Sequence, residues 1–268
     1  MAHLVLVPTP IGNLEDITLR ALRTLKEADV IAAEDTRHSR TLLNHFGIDK
    51  PLVRLDAHTV PVRGSAVLGD YERVAFITDA GTPGLSDPGV DLLAIALKRG
   101  DTVEVLPGPT ALIPALVLSG LPLSSFTFVG FLPRKGAARR EALAKIAGSD
   151  VTLAFYESPR RLVSTLEDLR DVCGETRQVS VSRELTKRFE TTYRGALGEV
   201  HMQLSRGEVR GEVVVVVSPN LEPLQETNFA AKAKELAAEG LSGRDLRKAL
   251  TTFGAPRNLA YELSLETD

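Results

Sequence analysis

The sequence predicts an α/β fold, with a mostly parallel sheet in its first half and a mixed sheet in its second half. Short apolar runs such as 4–7, 30–33 and 74–77 alternate with segments that show the apolar periodicity of helices. Strands that alternate with helices are typical of βαβ units, whose crossovers produce parallel sheets. From Phe126 onwards the strands follow one another with fewer helices between them, which predicts the mixed sheet.

The first half contains five predicted strands, joined by helices whose ends are marked by particular residues. Asp16 is placed to cap the first helix, because its carboxylate can accept a hydrogen bond from an amide of the first turn. Gly47 and Gly100 end two later helices, since glycine adopts the left-handed conformation without strain. A glycine-containing segment occupies 60–71. The predicted strands are 4–7, 30–33, 52–55, 74–77 and 103–106, and the predicted apolar helix residues are Leu19, Leu22 and Leu25, then Leu42, Leu43 and Phe46, then 90–98.

Changes of pattern near 119–123 and after Pro219 divide the chain into three parts. We predict an N-terminal α/β domain over 1–119, a C-terminal α/β domain over 120–220 and a small helical unit over 226–268. The three short helices of this unit resemble a helix-turn-helix arrangement. The later strands are predicted at 126–131, 152–156, 179–181, 190–193 and 212–217, and the helices at 139–146, 161–172, near Val200, 229–238, 241–250 and 258–265. The predicted core of the helical unit is Phe229, Leu236, Leu241, Leu246, Leu250 and Phe253.

Composition and charge exclude some classes of protein. The 268 residues carry a net charge of −3, so the whole molecule is not a strongly basic nucleic-acid clamp, although a local basic face is compatible with that total. Cys173 is the single cysteine, which excludes an internal disulfide and a cysteine-rich zinc site. The sequence shows no targeting segment and no apolar run of membrane length. We therefore expect a cytoplasmic protein that does not associate with a membrane.

Two loops rich in glycine and proline carry the strongest functional signal. One runs over Thr78–Gly89 after a predicted strand, and the other begins at Pro107 after the next strand along the chain. The carboxyl ends of neighbouring parallel strands form a crevice that binds ligands. Glycine lets the backbone approach a ligand closely, and proline holds the loop in one shape. The pattern predicts a site for a small polar molecule that contains adenine or ribose.

The short signatures of several other enzyme classes do not occur. The sequence has no G-x-G-x-x-G after its first strand, no phosphate-binding G-x-x-x-x-G-K-[ST], no H-E-x-x-H and no G-x-S-x-G. His38 and His45 share a helical face but lack a nearby carboxylate triad. We interpret them as part of a solvated helix face and predict no metal site.

Charged residues crowd the loops after three further strands. Glu34, Asp35 and Arg37 form either a helix cap with a surface ion pair or a substrate site. Basic residues after the strands at 152–156 and 179–181 suit phosphate contacts with a nucleic acid, or else a solvated basic rim. The residues alone leave both choices open. The basic residues concerned are Arg160, Arg161, Arg183, Lys187 and Arg188, with Arg134, Lys135, Arg139 and Arg140 in a loop that we expect to be mobile.

Six segments occur in the order found in a known family, namely Val7–Asn13, Glu34–Arg37, Thr78–Gly89, Leu106–Ala111, Phe155–Arg161 and Arg183–Lys187. In them the chain resembles the ribosomal RNA small subunit methyltransferase I group of the tetrapyrrole-methylase superfamily, which are class III methyltransferases. The resemblance covers about residues 3–218 and, more loosely, the tail. It implies a two-domain fold with S-adenosylmethionine in the cleft, usually as a homodimer. It also implies 2′-O-methylation of a cytidine in the decoding region of 16S ribosomal RNA in the small ribosomal subunit.

The resemblance also implies roles for particular residues. Those expected to line the cleft and contact the methyl donor are Pro8, Asp79, Ala80, Gly81, Thr82, Pro83, Thr110, Ala111, Tyr156, Ala196 and Leu197. Those expected to contact the substrate RNA are Arg37, Arg160, Arg161, Arg183, Lys187 and Arg188.

A ribose hydroxyl is a weak nucleophile, so a base helps its methylation, typically by about 10²–10⁴-fold. Five side chains in the candidate loops have suitable chemistry, and Lys187 is among them only if its pKa is lowered. The sequence does not choose among them. The candidates are Glu34, Asp35, Glu157, Glu184 and Lys187.

Three other functions remain as alternatives. One is C-methylation of a corrin or sirohaem precursor, in which Arg37 or Arg183 would bind the carboxylates of the tetrapyrrole. Another is methylation of a modified histidine on a translation factor. The third is an RNA-binding or assembly protein with an inactive donor cleft, in which RNA binding would not depend on the methyl donor. A titration of donor binding separates this last function from the enzymatic ones.

Overall fold

The computed structural model of the protein describes residues 1–220, 229–238, 241–252 and 257–266. The chain divides into two compact units, Met1–Pro219 and Asn220–Asp268. The described part of the first unit contains two five-stranded sheets with helices packed on them. The α/β class predicted from the alternation of strands and helices is therefore confirmed.

The first sheet is entirely parallel and has the strand order β3-β2-β4-β1-β5. Because β1 and β4 are neighbours in its centre, the loops that follow them lie side by side at one edge of the sheet. The strands are β1 His3–Leu6, β2 Val30–Ala33, β3 Leu52–Arg54, β4 Arg73–Ile77 and β5 Thr102–Val105. The helices of this half are α1 Leu19–Glu27, α2 Thr36–His45, α3 Val60–Asp70, α4 Gly89–Arg99 and α5 Leu112–Ser119.

The second sheet is mixed, as predicted, and has the order β6-β7-β10-β8-β9. Strands β6 and β7 pair in parallel, and the other three pairs are antiparallel. Its strands are β6 Phe126–Phe131, β7 Thr152–Glu157, β8 Gln178–Arg183, β9 Thr191–Ala196 and β10 Val213–Val217. Its helices are α6 Gly136–Ala147, α7 Pro159–Cys173 and α8 Leu197–Leu204.

Both faces of the first sheet are buried, which explains why its central strands are continuously apolar. Leu4 and Leu6 of β1 pack on one side with Phe76, whereas Val5 and Val7 pack on the other. Successive residues of a strand point to opposite faces, so one short run supplies both cores. Each fully buried Leu or Phe side chain contributes about 1.5–3 kcal/mol relative to an exposed one.

Helix α5 packs on the second sheet. Its residues Leu112, Ala115 and Leu116 join a core with Val214 and Val216 of β10. The predicted boundary between residues 119 and 120 leaves α5 with the first sheet in sequence, although it covers the second sheet in space. The division into domains 1–119 and 120–220 stays a prediction.

Two local predictions for the first half were wrong, and one segment left without a predicted structure is a helix. Thr18 rather than Asp16 caps α1, since its hydroxyl accepts the Ala21 amide at 3.0 Å, while Asp16 lies in a short 3-10 turn. Leu19 is 87% exposed and does not belong to the apolar face of α1. The segment 60–71 forms the helix α3, whose buried residues pack beneath the sheet despite two glycines.

The second unit contains three helices in its described part, α9 Phe229–Ala238, α10 Gly243–Thr252 and α11 Arg257–Glu266. Their core includes Leu236, Leu246 and Leu250, as predicted, while Phe229 and Leu241 are partly buried against it. The predicted core residue Phe253 and the turn around 254–256 lie outside the described residues, as do 226–228. Among the helices described, none is both long and apolar enough to cross a membrane.

Candidate functional site

A cavity of about 420 Å³ opens within the first unit, at the carboxyl ends of the strands of the first sheet. The loops after β1, β2, β4 and β5 form one side of it, and residues from the second sheet form the other. The two glycine- and proline-rich loops of the sequence therefore meet at one site. Residues of the first sheet's loops that line the cavity are Ile11, Glu34, Thr78, Asp79, Ala80, Gly81, Thr82, Leu85, Ser86, Asp87, Thr110 and Ala111. The lining residues from the second sheet and the loops next to it are Phe131, Tyr156, Glu157, Ser158, Pro159, Ser182, Leu185, Gly211, Glu212, Val213 and Val214.

Hydrogen bonds connect the loops after β1, β4 and β5 into one wall. The Thr9 and Gly81 backbones exchange two hydrogen bonds, each 3.0 Å long. The Thr82 hydroxyl donates to the carbonyl oxygen of Pro109 at 2.9 Å, which ties the loop after β4 to the loop after β5. The Thr9 hydroxyl, itself buried, donates to the Thr78 carbonyl at 3.2 Å. Groups held in this way are already positioned when a ligand arrives.

Two residues determine the shape of the loop after β4. Gly81 has a φ of +83°, in the left-handed region that favours glycine. The Asp87 carboxylate accepts the amides of Gly84 and Gly89, each at 2.8 Å, and that of Leu85 at 3.1 Å. Asp87 thus fixes the turn that leads into α4 and presents the loop's backbone to the cavity.

Pro8 and Pro83 support these loops and do not line the cavity. A Cβ atom added at Gly108 would lie 2.6 Å from the Cβ of Pro8, so the proline ring fills the space that glycine leaves. Pro83 is buried. Neither proline is among the residues that line the cavity, and their expected contact with a ligand stays a prediction.

Ala196 and Leu197 also lie away from the cavity. Strand β9 runs antiparallel to β8, so Ala196 pairs with Gln178 at the opposite end of β8 from Ser182 and Leu185. Leu197 is fully buried in the core beneath the second sheet. Neither residue is placed to contact a ligand in this cavity, because the direction of β9 carries both away from it.

Tyr156 joins the two sides of the cavity. Its ring packs edge-on against Phe128 with the ring centres 4.9 Å apart, and against Phe131 at 5.6 Å. Burial raises the pKa of its hydroxyl, while a hydrogen bond with the Thr110 side chain opposes the rise. The phenol is therefore neutral at physiological pH, and it offers an aromatic face and one hydrogen bond.

The candidate carboxylates have very different surroundings. Glu34 lines the cavity and is half-buried. Burial raises the pKa of its carboxyl, and the nearby Asp79, Asp87 and Asp56 raise it further, while a backbone hydrogen bond from Asp79 opposes the rise. Asp35 lies outside the cavity lining and caps α2 by accepting the Arg37 amide at 2.8 Å. Hydrogen bonds from Arg37 hold the pKa of Asp35 below its ordinary value.

Glu157 is buried and fully paired. Its carboxylate accepts hydrogen bonds from the Ser158 amide and the Thr165 hydroxyl, each at 2.7 Å, and lies 3.1 Å from Nη2 of Arg161. Arg161 also donates to the carbonyl oxygen of Leu132 at 3.1 Å. This ion pair fastens the start of α7 to the loop after β6.

Lys187 lies between two carboxylates beside the cavity. Its Nζ is 3.0 Å from Oε1 of Glu184 and 3.1 Å from Oε2 of Glu212. These partners raise the pKa of Lys187 despite its partial burial, and Lys187 in turn lowers the pKa of Glu184. The ammonium group is therefore charged at physiological pH, and the condition under which Lys187 could act as a base is not met.

Two glycines make room for this cluster. A Cβ atom at Gly12 would collide with the Lys187 side chain, and one at Gly211 would collide with Glu184. The loop after β1 thus contacts the loop after β8 across the cavity. Gly211 and Glu212 lack a role in the sequence interpretation, because their contacts with Glu184 and Lys187 span more than 20 residues of the chain.

The predicted RNA-binding arginines differ in availability. The Arg37 side chain is 92% exposed and pairs with Asp35 at 3.4 Å. Arg160 and Arg188 are exposed, and the guanidinium of Arg188 lies 5.5 Å from the centre of the Phe189 ring. Arg183 is half-buried and donates to the carbonyl oxygen of Arg210 at 3.3 Å. By contrast, Arg161 is used within the protein, as described above.

The described ranges contain no group of three or more His, Cys, Asp and Glu residues that could hold a metal ion. The cavity offers hydrogen-bonding groups, apolar walls and carboxylates to a ligand. The cavity is within the range of about 300–1,000 Å³ that binds drug-sized molecules.

Comparison with known sequences identifies relatives of the chain. The profile of the tetrapyrrole (corrin/porphyrin) methylases matches residues 3–201. A ribosomal RNA small subunit methyltransferase I from Halalkalibacterium halodurans is 47% identical over 225 residues, which make up 83% of this chain and 78% of that protein. The protein of the same name from Pseudomonas aeruginosa is 42% identical over 272 residues, or 98% of this chain and 96% of that protein.

Solved structures share the fold at much lower identity. The uroporphyrin-III C-methyl transferase of Thermus thermophilus, complexed with S-adenyl homocysteine, superposes with a TM-score of 0.56 at 22% identity and covers 81% of this chain and 97% of its own. A diphthine synthase superposes with a TM-score of 0.61 at 16% identity, covering 81% of this chain and 90% of its own. These likenesses support the fold alone, and the sequence relatives carry the functional comparison.

Proposed function

The chain belongs to the tetrapyrrole (corrin/porphyrin) methylase family and, within it, to the ribosomal RNA small subunit methyltransferase I group, and on that premise we propose the reaction in detail. The protein is a methyltransferase of ribosomal RNA that uses S-adenosylmethionine. We propose that it methylates the 2′-oxygen of a cytidine in the decoding region of 16S ribosomal RNA, within the small ribosomal subunit. The observation that carries the proposal is the cavity that the loops of both sheets enclose.

The residues of this cavity fit S-adenosylmethionine. The donor carries positive charge on its sulfur and its ammonium group, and Asp79 and Asp87 place carboxylates in the loop after β4 that lines the cavity. The half-buried ring of Tyr156 and the small side chains of Thr110 and Ala111 suit the flat adenosine part. When bound, the donor supplies a methyl group on a positively charged sulfur.

We assign the donor contacts to the wall formed by the loops after β4 and β5. Gly81 exposes its backbone there without a side chain, and its amide and carbonyl are already used in the pairing with Thr9. The wall therefore keeps its shape without the donor. The residues proposed to contact the donor are Asp79, Ala80, Gly81, Thr82, Thr110, Ala111 and Tyr156.

The protein's part in the reaction is mostly positioning. A sulfonium leaves as a neutral thioether and needs no proton, so alignment of the attacking oxygen with the methyl carbon supplies much of the acceleration. The bonded loops on one side and the loops after β7 and β8 on the other fix the two reactants relative to each other.

We propose that exposed arginines near the cavity bind the RNA backbone. Arg37, Arg160 and Arg188 are free to reach phosphate groups, and Arg183 adds positive charge beside them. Such contacts position a nucleic acid without reading its sequence. Arg161 and Lys187 are occupied by carboxylates of the protein, so we assign them to bracing the loops rather than to RNA binding.

We also propose that the protein acts as a homodimer. Strands β5 and β6 are edge strands, and with α5 they expose Val105, Ile113, Val117 and Phe126. Exposed apolar side chains on edge strands and helix faces are often covered by a partner chain. Sedimentation at micromolar concentration tests this proposal, and Val117→Glu should shift a dimer towards the monomer. A wild-type monomer would contradict it.

The cytoplasmic location of the protein stays a prediction.

A methyl-transfer assay tests the proposed function. Purified protein, labelled donor and assembled small ribosomal subunits are incubated, and the labelled nucleoside is identified after digestion. We expect 2′-O-methylcytidine. Methylation on a nucleobase would contradict the 2′-oxygen as the methylated atom. Donor binding without transfer to RNA would favour C-methylation of a tetrapyrrole, or methylation of another kind of substrate. RNA binding that is independent of the donor, without any transfer, would favour an assembly protein.

A further inference from the structure

We infer that Glu34 is the general base that accepts the proton of the ribose hydroxyl during methyl transfer, an inference that rests on the proposed function. The inference follows from the contacts of each carboxylate near the cavity. A general base needs a free lone pair that faces the substrate, without a cation or a helix cap occupying it.

Two of the other candidates, Asp35 and Glu157, already bind groups of the protein. Asp35 accepts the Arg37 amide at 2.8 Å as the cap of α2 and lies outside the cavity lining. The Glu157 carboxylate is 2% exposed and holds Arg161, Thr165 and the Ser158 amide. A proton on Glu157 would break the buried pair, which is costly.

Glu184, Lys187 and Glu212 also bind one another. Glu184 accepts Nζ of Lys187 at 3.0 Å and the Glu212 amide at 3.1 Å through the same oxygen, Oε1. Glu212 is bonded to Lys187 at 3.1 Å. Since Lys187 is surrounded by anions, its ammonium group keeps its proton and has no lone pair to offer.

The wall formed by the loops after β4 and β5, called the donor wall below, contains two more carboxylates, Asp79 and Asp87. Their positions make them unsuitable as the general base. Asp87 uses both oxygens on the amides of Gly84, Leu85 and Gly89. Asp79 follows β4, in the loop that is bonded to the loops after β1 and β5. We assign Asp79 to the donor because it belongs to this wall.

Glu34 occupies a different place in the same cavity. It follows β2, which lies on the far side of β4 from β1 and β5 in the strand order. It therefore approaches the cavity from beside the donor wall, where an acceptor molecule can lie. Glu34 accepts a backbone hydrogen bond from Asp79, but among the ion pairs found in the described residues none involves Glu34. The charged groups that face it are the carboxylates of Asp79, Asp87 and Asp56.

The surroundings of Glu34 also favour proton uptake. Burial and three neighbouring carboxylates raise the pKa of Glu34 above its ordinary value, which makes the carboxylate a stronger base. In the proposed step, the hydroxyl proton passes to Glu34 as the ribose oxygen bonds to the methyl carbon. The carbon–sulfur bond breaks, and its electron pair stays on sulfur to give a neutral thioether.

The test compares Glu34→Gln with Glu34→Asp and with Glu27→Gln, an exposed glutamate on α1 that lies away from the cavity. Full-length proteins are assayed on small ribosomal subunits in single turnover, with donor affinity measured by calorimetry. We expect Glu34→Gln to lower the transfer rate about 10²–10⁴-fold, with donor affinity and the KM for subunits nearly unchanged. Glu34→Asp should retain part of the rate, and Glu27→Gln all of it.

The pH profile separates catalysis from a structural role. A protonated Glu34 cannot accept a proton, so the wild-type rate should rise with pH through the raised pKa of this group, and that rise should be absent in Glu34→Gln. A Glu34→Gln enzyme with a rate within about threefold of wild type, or with the same acid limb, would overturn the inference. A loss of donor affinity in Glu34→Gln would also overturn it and make Glu34 a donor ligand. The proposed function fails separately, if the wild-type protein labels no ribosomal RNA.

Discussion

Gly81 is a position in the donor wall where backbone without a side chain lines the cavity. Its φ of +83° and the absence of a side chain keep this part of the wall accessible. A Cβ atom there would lie 3.5 Å from Ile11 and 3.7 Å from the Pro109 carbonyl, so the protein itself leaves room for little more than a methyl group.

Gly81→Val should therefore weaken donor binding by at least about tenfold, because the branched side chain extends into the space of the ligand. Gly100→Val is the matched control, since Gly100 has a φ of +78° with open space around it. Both variants carry the same kind of backbone strain, and the closer surroundings of Gly81 should lower the unfolding temperature of Gly81→Val further. Calorimetric titration with the donor that gives wild-type affinity for Gly81→Val would contradict the assigned site.

A substitution of Arg37 tests the proposed contact of this single residue with RNA. Its side chain is almost fully exposed, and its pairing with Asp35 can be exchanged for a phosphate group. Arg37→Ala should weaken binding to small ribosomal subunits and reduce the slope of log affinity against log salt by about 1. Donor affinity should not change.

Arg73→Ala is the control for this measurement. Arg73 begins β4, at the opposite end of the strand from the cavity, and is exposed. An equal loss of slope in both variants would mean that the effect reflects total charge rather than a specific contact.

At the scale of single elements, the start of α7 depends on one buried ion pair. Glu157 ends β7 and Arg161 lies in the first turn of α7, and the pair also binds Thr165 and the Leu132 carbonyl. The sequence interpretation placed Glu157 among five candidate bases and Arg161 among the residues expected to contact RNA, because both follow a strand in a polar segment. Their contacts instead fasten α7 to the loop after β6.

Glu157→Gln should lower the free energy of unfolding by about 3–5 kcal/mol, because it leaves the guanidinium of Arg161 partly buried without its countercharge. Urea denaturation followed by circular dichroism measures this change. Glu167→Gln, at an exposed position of the same helix, should stay within about 0.5 kcal/mol of wild type. A loss below about 1 kcal/mol for Glu157→Gln would show that the pair does not brace the helix.

At the scale of the whole molecule, the cavity is formed entirely by residues before 215, and the second unit has a small core of its own. A unit of about 40–50 residues is rarely stable alone, so we expect it to serve substrate recognition or dimer formation in the full protein.

Truncation after Pro219 should leave donor affinity nearly intact and reduce methylation of small ribosomal subunits. Donor titration and the transfer assay on the same preparation measure the two effects. Early melting or aggregation of the truncated protein would mean that the helical unit only covers apolar surface. Full activity in a soluble truncated protein would contradict a role in recognition.

The sequence by itself determined the order of strands and helices and the position of the ligand loops. Apolar runs, capping glycines and the two loops after β4 and β5 are local signals, and each acts within a few residues. The segment 60–71 was not recognised as a helix, because its glycines interrupt the apolar periodicity. Its helix α3 is stabilised by residues that pack against the first sheet.

Only the tertiary structure decided what each charged residue does. Glu34, Asp35, Glu157 and Glu184 look alike in sequence, since each follows a strand in a polar segment. Their roles differ because Arg37, Arg161 and Lys187 hold the other three in a helix cap or an ion pair. The packing of the two sheets places Glu34 in the cavity without an ion-pair partner among the described residues. Likewise, the direction of β9 carries Ala196 away from the site, because strand pairing over long separations is not encoded in any local pattern.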